Sequence, residues 1–324
     1  MRVADIQPLI IEASGRVYAL VHETPVVPLT GGRVPRGARV FVKLEQQQKT
    51  GSFKLRGATN KLLSLAPADA SRGVVTSSTG NHGIGVAAAA QYLGTDAEVF
   101  LSGQVAAAKR AKIAAYGARM RNGGETPLEA ELAARDDAAR TGRCYVSPYN
   151  DPHVVAGQGT VAVELVRQLG ALDAVFVATG GGGLVSGIGC HLRAASPGTE
   201  IVACWADHSK VLYECLRAGR IVEAPEQPTL SESTAGGVEP GSITFDLCRD
   251  VIDRAELVGE DEILEAMRYG HTLGWPMEGA AGVALAAYWR SAERYAGKTV
   301  AVVLCGGNPS AEVRALLDPR PDRA

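Results

Sequence analysis

The chain has 324 residues, 46% hydrophobic and 21% charged, with a formal net charge of −2. That length is a prior for about two domains, and the near-neutral balance gives no electrostatic reason to expect nucleic acid or an anionic membrane as a partner. No apolar run reaches the roughly 18 residues of a membrane span, and Met1–Ser14 has no signal-peptide core.

The predicted elements alternate. Short strands are expected at Val40–Leu44, Gly73–Thr76, Ala97–Leu101, Asp173–Ala178, Glu200–Cys204 and Lys298–Leu304. Most are apolar on both faces, as buried parallel strands are. Ala-rich helical runs follow at His82–Leu93, Ala106–Tyr116, Pro127–Thr141, Leu184–Ala194 and Gly282–Tyr295. Strand–helix alternation implies right-handed βαβ units in doubly wound α/β layers. The polar tail Pro319–Ala324 is expected to fray. The six cysteines lie far apart without CxxC spacing, so neither a zinc ribbon nor a disulfide framework is expected, and a reducing cytoplasm suits them.

Ligands of open α/β sheets bind outside the carboxyl ends of the strands. Four Gly-rich junctions stand at such ends: Ser77–His82, Gly180–Gly183, Ser231–Gly241 and Cys305–Asn308. Gly180 to Gly183 follow an apolar strand and open a helix at Leu184. Side-chain-free N–H groups at a helix N-terminus suit a phosphate. The spacing is not GxGxxG with an acidic residue about 20 positions on, which disfavours a dinucleotide. Ser77-Ser-Thr-Gly-Asn-His-Gly83 combines hydroxyls, an amide and a helix start, a fit for a carboxylate; simple capping by Ser78 or Thr79 is the bland alternative. Lys54, one of eight lysines, sits between Phe53 and Leu55 in a segment, Thr50–Ala58, that lies outside the strand–turn pattern. Apolar neighbours lower a lysine pKa and favour a Schiff-base amine.

Taken in order, GSFKLRGA, SSTGNHG, TGGGGL and CGGN resemble the fold-type II (tryptophan synthase β-like) pyridoxal 5'-phosphate enzymes, in the threonine/serine dehydratase branch that includes serine racemase. Thr24-Pro25 and Glu278-Gly-Ala-Ala-Gly282 match further segments of that family. The resemblance implies two doubly wound α/β domains with pyridoxal phosphate between them: a small substrate-binding domain of residues 72–147 and a large domain of 1–71 and 148–324. It implies that Lys54 carries the cofactor and shuttles the Cα proton, that Phe53 packs beside the ring, and that Asn81 meets the ring 3′-oxygen. Gly180, Gly181, Gly182, Gly183 and Leu184 would hold the phosphate, and Cys305 would face the pyridine nitrogen where the family usually has Ser. Ser78, Thr79, Gly80 and His82 would bind the substrate carboxylate. The implied reaction is β-elimination from a small 3-hydroxy amino acid such as L-threonine or L-serine, giving a 2-oxo acid and ammonia. An amino-acid racemase is the alternative among enzymes, and a catalytically silent binding relative the alternative outside them. A homodimer is the family expectation.

Three departures bear on this. Cys305 replaces Ser. Trp205, in Val202-Ala-Cys-Trp-Ala-Asp-His208, falls where metal-binding members have Glu; an indole N–H cannot ligate, so no metal is expected there, and Trp205 is read as filling an apolar or cation–π role. Asp207 would share the face of Trp205 on a continuing strand. Ser231–Gly241 replaces the usual Ala-Asp-Gly motif, and Ala235-Gly-Gly-Val-Glu239 with Trp205 resembles the dehydratases of hydroxyectoine utilisation. A phenylserine or 3-hydroxyaspartate specialist is a further expectation. The chain ends soon after Asn308, so no regulatory ACT domain is expected.

Overall fold

The structure, a computed structural model, describes residues 1–31, 33–78, 80–103 and 107–317. The expected roles of Thr79, the helix start at Ala106 and the tail Pro319–Ala324 therefore lie outside the described residues.

Among the described residues ten strands form two sheets. In chain order they are β1 (Val26–Pro28), β2 (Arg39–Leu44), β3 (Val74–Ser77), β4 (Ala97–Ser102), β5 (Arg119–Gly124), β6 (Cys144–Tyr145), β7 (Ala174–Ala178), β8 (Glu200–Ala206), β9 (Arg254–Val258) and β10 (Thr299–Leu304). The larger sheet has the order β1-β2-β10-β7-β8-β9, and the smaller β5-β4-β3-β6. All pairings are parallel except β1 with β2. The apolar runs expected as strands are the interior strands β2, β10, β7, β8, β3 and β4. The four that the apolar pattern did not mark, β1, β5, β6 and β9, are the sheet edges. They are two to six residues long, and none is buried along its whole length, so the doubly apolar signature of an interior strand is missing.

Helices cover both faces of the larger sheet. The longest, Pro152–Leu169, was not expected from the apolar pattern. Its buried face includes Gly157, Gln158, Gly159, Thr160 and Glu164, which break the 3.6-residue apolar stripe. Local chemistry still starts it: the Asp151 carboxylate accepts from the N–H groups of His153 and Val154, ahead of Pro152 in the first turn. The predicted Gly282–Tyr295 helix is Gly279–Ser291 followed by a 3₁₀ turn.

Two large hydrophobic clusters fill the molecule. One packs the larger sheet. The other packs the β3–β4 layer, and takes in Ala58, Leu62 and Val154 from outside the span 72–147. Helices Lys54–Leu63 and Pro152–Leu169 therefore bridge the two layers. They approach closely: a Cβ on Gly157 would lie 2.6 Å from the Arg56 carbonyl oxygen. Beside this crossing Lys43, Glu45, Arg56 and Glu164 form a network of wholly buried charges. Arg56 takes both carboxylates, so two cations neutralise two anions where water cannot.

Candidate active site

Three adjacent parallel strands, β2, β10 and β7, deliver the expected chemistry at one edge of the larger sheet. After β2 a 3₁₀ turn, Glu45–Gln47, leads into the lysine segment. Thr50–Ala58 thus belongs to the strand–turn pattern, contrary to the expectation; the polar turn between strand and helix hid the connection. Ser52 bridges Gly306, and the Phe53 N–H donates to the Cys305 carbonyl at 3.0 Å. This fastens the start of the Lys54 helix to the end of β10.

Lys54 is half-buried. Its Nζ donates to the Pro148 carbonyl at 2.8 Å and lies 5.2 Å from the centre of the Phe53 ring. Burial pulls its pKa down to about 8, against weaker opposing effects of Cys305 and Glu278. Lys54 and Phe53 line a cavity with Gly180–Gly183, Leu184, Tyr149 and Ser233–Gly237.

The tetraglycine run follows β7 and opens the helix Gly183–Ala195. Among the described residues the N–H groups of Gly180 to Leu184 have no protein acceptor, leaving a cluster of donors at a helix N-terminus. Side chains cannot be tolerated here. A Cβ on Gly180 would stand 2.8 Å from the Thr234 carbonyl oxygen, and one on Gly181 2.7 Å from the Tyr149 ring. A lowered-pKa amine and a phosphate-sized donor cradle in one cavity fit an aldehyde-bearing phosphate ester such as pyridoxal phosphate.

The carboxylate loop follows β3. The helix Asn81–Leu93 is capped by Gly80, with no side-chain cap; Ser78 Oγ instead accepts from the Gly80 N–H at 3.1 Å. The bland capping alternative is not realised by Ser78, and the first-turn N–H groups have no partner within the helix. His82 stands in the first turn of that helix with its ring buried. Burial, then the Lys54 charge, lower its pKa to about 3. The neutral ring donates from Nε2 to the Val146 carbonyl at 3.0 Å, and the buried Nδ1 has no partner among the described residues. A ring in that tautomer offers only a lone pair at Nδ1 and cannot donate to a carboxylate. Among the described residues, the donors this loop offers an anion are the Ser78 hydroxyl and the first-turn N–H groups.

Cys305 is 2% exposed. Burial, and next Glu278, push its thiol well above the usual range, so it is neutral. Asn81 and Asn308 meet a residue to which the motif reading gave no role, Glu278. The Asn81 Nδ2 donates to both Glu278 oxygens, at 2.9 and 2.8 Å, and its Oδ1 accepts from the Asn308 Nδ2 at 2.8 Å.

Trp205, near the end of β8, is buried, with no partner for its Nε1 among the described residues. Its ring is tilted against Tyr213 at 5.7 Å, the apolar role expected. Asp207 does not continue the strand: β8 ends at Ala206, and Asp207 turns outward to pair with Lys210. Among the described residues no group of three His, Cys, Asp or Glu side chains could hold a metal ion, the six cysteines are free, and no helix is long and apolar enough to cross a membrane. A second cleft, of about 310 Å³, opens at the opposite ends of the strands, between Asp173, Glu200, Arg294 and Lys298. Its charges pair with each other, Asp173 with Lys298 and Glu200 with Arg294, and it holds no comparable chemistry.

A family model described as "Pyridoxal-phosphate dependent enzyme" matches residues 17–306. The L-threonine ammonia-lyase of Thermotoga maritima is 35% identical over 298 residues, 92% of this chain and 74% of that protein. The L-threo-3-hydroxyaspartate ammonia-lyase of Saccharomyces cerevisiae is 33% identical over 300 residues, 92% of each. The solved structure of maize serine racemase superposes with a TM-score of 0.89 at 29% identity, covering 95% of each chain.

Proposed function

The chain belongs to the pyridoxal-phosphate-dependent enzyme family, and from that premise we propose that it removes ammonia from a small 3-hydroxy amino acid, L-threonine or L-serine among them, to leave a 2-oxo acid. Its fold is that of the fold-type II branch, its cofactor is pyridoxal phosphate, and it is a lyase. The observation that carries the proposal is the Lys54 amine, lowered to about 8 and set in one cavity with the free N–H groups of Gly180 to Leu184.

Bound pyridoxal phosphate supplies an electron sink that lets a Cα–H bond break and a β-hydroxyl leave. In our assignment the protein does the rest. Lys54 Nζ takes the Cα proton, a task that an amine poised near neutral pH suits, and the β-hydroxyl, once protonated, departs as water. The Gly180–Leu184 donors anchor the phosphate. The neutral Cys305 thiol is assigned to the pyridine nitrogen as a weak donor that does not force its protonation. The backbone at the start of the helix Asn81–Leu93 holds the substrate carboxylate. We assign residues 72–147 to a smaller, substrate-binding domain, and 1–71 with 148–324 to the larger one.

One observation favours a substrate with a larger group on Cβ. The cavity wall at Ala235-Gly236-Gly237 carries almost no side chain and is open to solvent. That side-chain-poor wall supports a specialised 3-hydroxy amino acid, such as phenylserine or a hydroxyectoine-derived one, as the second reading. The test is a screen of serine, threonine, threo-3-hydroxyaspartate and phenylserine for equal release of ammonia and 2-oxo acid. Release from none of them, or D-isomer forming from L-substrate as fast as ammonia, overturns the proposal.

A further inference from the structure

Glu278 is 6% exposed at the start of the helix Gly279–Ser291. Besides its two contacts with the Asn81 Nδ2, its Oε1 accepts from the Ser233 Oγ at 2.8 Å and its Oε2 from the Asn308 N–H at 3.3 Å. Three donor groups from three distant segments thus make four contacts with one carboxylate. Gly306 is shaped around it: a Cβ there would lie 2.5 Å from Oε1.

The direction of an Asn amide is set by its partners, because its two ends have nearly the same shape. A carboxylate only accepts, so the Nδ2 of Asn81 must face Glu278 and its Oδ1 must face the Asn308 Nδ2. Asn308 is oriented in turn by donating to the Thr50 carbonyl at 2.9 Å and by accepting from Lys112 at 2.7 Å. The two oxygens of one carboxylate subtend a much smaller angle at Nδ2 than its two hydrogens do. One hydrogen is therefore shared between both oxygens, and the other, which has no acceptor among the described residues, is left for one outside the protein.

We propose that Glu278 is a positioning residue that holds the Asn81 amide with one free N–H for the cofactor and, through Ser233, ties the Ser231–Gly241 segment to that amide. The segment is anchored across the cleft at other points as well. Glu232 pairs with Lys109 at 3.6 Å, Glu239 pairs with Arg135, and the Glu239 N–H donates to the Tyr149 hydroxyl at 3.0 Å. Glu278 differs from these in linking the segment to a residue assigned to the cofactor. The proposal rests on the cofactor and on no choice of substrate.

The test is a double-mutant cycle on the holoenzyme with Glu278→Gln and Asn81→Ala. It is read by the cofactor's visible absorption band and by cofactor loss on dilution, neither of which needs a substrate. Glu278→Gln is expected to shift the band and to weaken cofactor retention roughly tenfold, the scale of a lost charge-assisted hydrogen bond. In the Asn81→Ala background the same change is expected to have little further effect, because its route is gone. Glu278→Asp keeps the charge but draws it back by one methylene, and gives the same readout should the Gln variant not fold. An unchanged band and retention in both Glu278 variants, or an undiminished effect in the Asn81→Ala background, overturns the proposal.

Discussion

Lys54 donates from Nζ to the carbonyl of Pro148, 94 residues further along the chain, at 2.8 Å. The amine is thus aimed at the point where the chain leaves the β3–β4 layer, and its hydrogen bond goes to a neutral acceptor. A neutral partner compensates burial only weakly, whereas a carboxylate would have raised the pKa. Burial therefore prevails, and the amine titrates near 8 instead of 10.5.

This gives a pH dependence with a definite sign. Only the free-base amine adds to an aldehyde, so reconstitution of cofactor-free protein with pyridoxal phosphate should quicken as pH rises and level off above about 8. An ordinary lysine would level off only above about 10.4. Stopped-flow absorbance checks it, and a rate still climbing steeply at about pH 10 contradicts it. Lys54→Ala should abolish both turnover and the borohydride-reducible link to the cofactor.

Gly181→Ala should weaken cofactor binding by at least about tenfold. The added Cβ would stand 2.7 Å from the Tyr149 ring, so either the ring or the donor cradle must move. Cofactor titration of the variant, with circular dichroism as the fold control, reads this. Wild-type affinity would show that the close packing of the cradle is not required.

Arg56→Met should destabilise the protein by about 3–5 kcal/mol, since it strands Glu45 and Glu164 without their shared cation in a buried site. The bonds it removes include 2.7 Å to Glu45 and 2.6 Å to Glu164. Urea unfolding of wild type and variant measures the difference. A loss below about 1 kcal/mol, the scale of an exposed pair, would mean that the network contributes no more than a surface ion pair. Because Arg56 lies two residues beyond Lys54, cofactor retention should fall along with stability.

The sequence by itself determined the layered α/β architecture and the main chemical parts of the site. Interior strands are apolar on both faces, so β2, β3, β4, β7, β8 and β10 announce themselves locally. The Lys54 segment, the tetraglycine run and CGGN are likewise contiguous, and their chemistry can be read from neighbours in the chain. Only the tertiary structure decided what depends on partners far away in sequence. Edge strands β1, β5, β6 and β9 are specified by the strand they pair with more than by their own pattern. Arg56 finds Glu164 across 108 residues, and Asn81 finds Glu278 across 197. The tautomer of His82 follows from the Val146 carbonyl and the site's low polarity, which no local motif encodes. Local sequence fixes which groups are available, but burial and pairing fix their charge, direction and freedom to donate, because both are properties of the assembled interior.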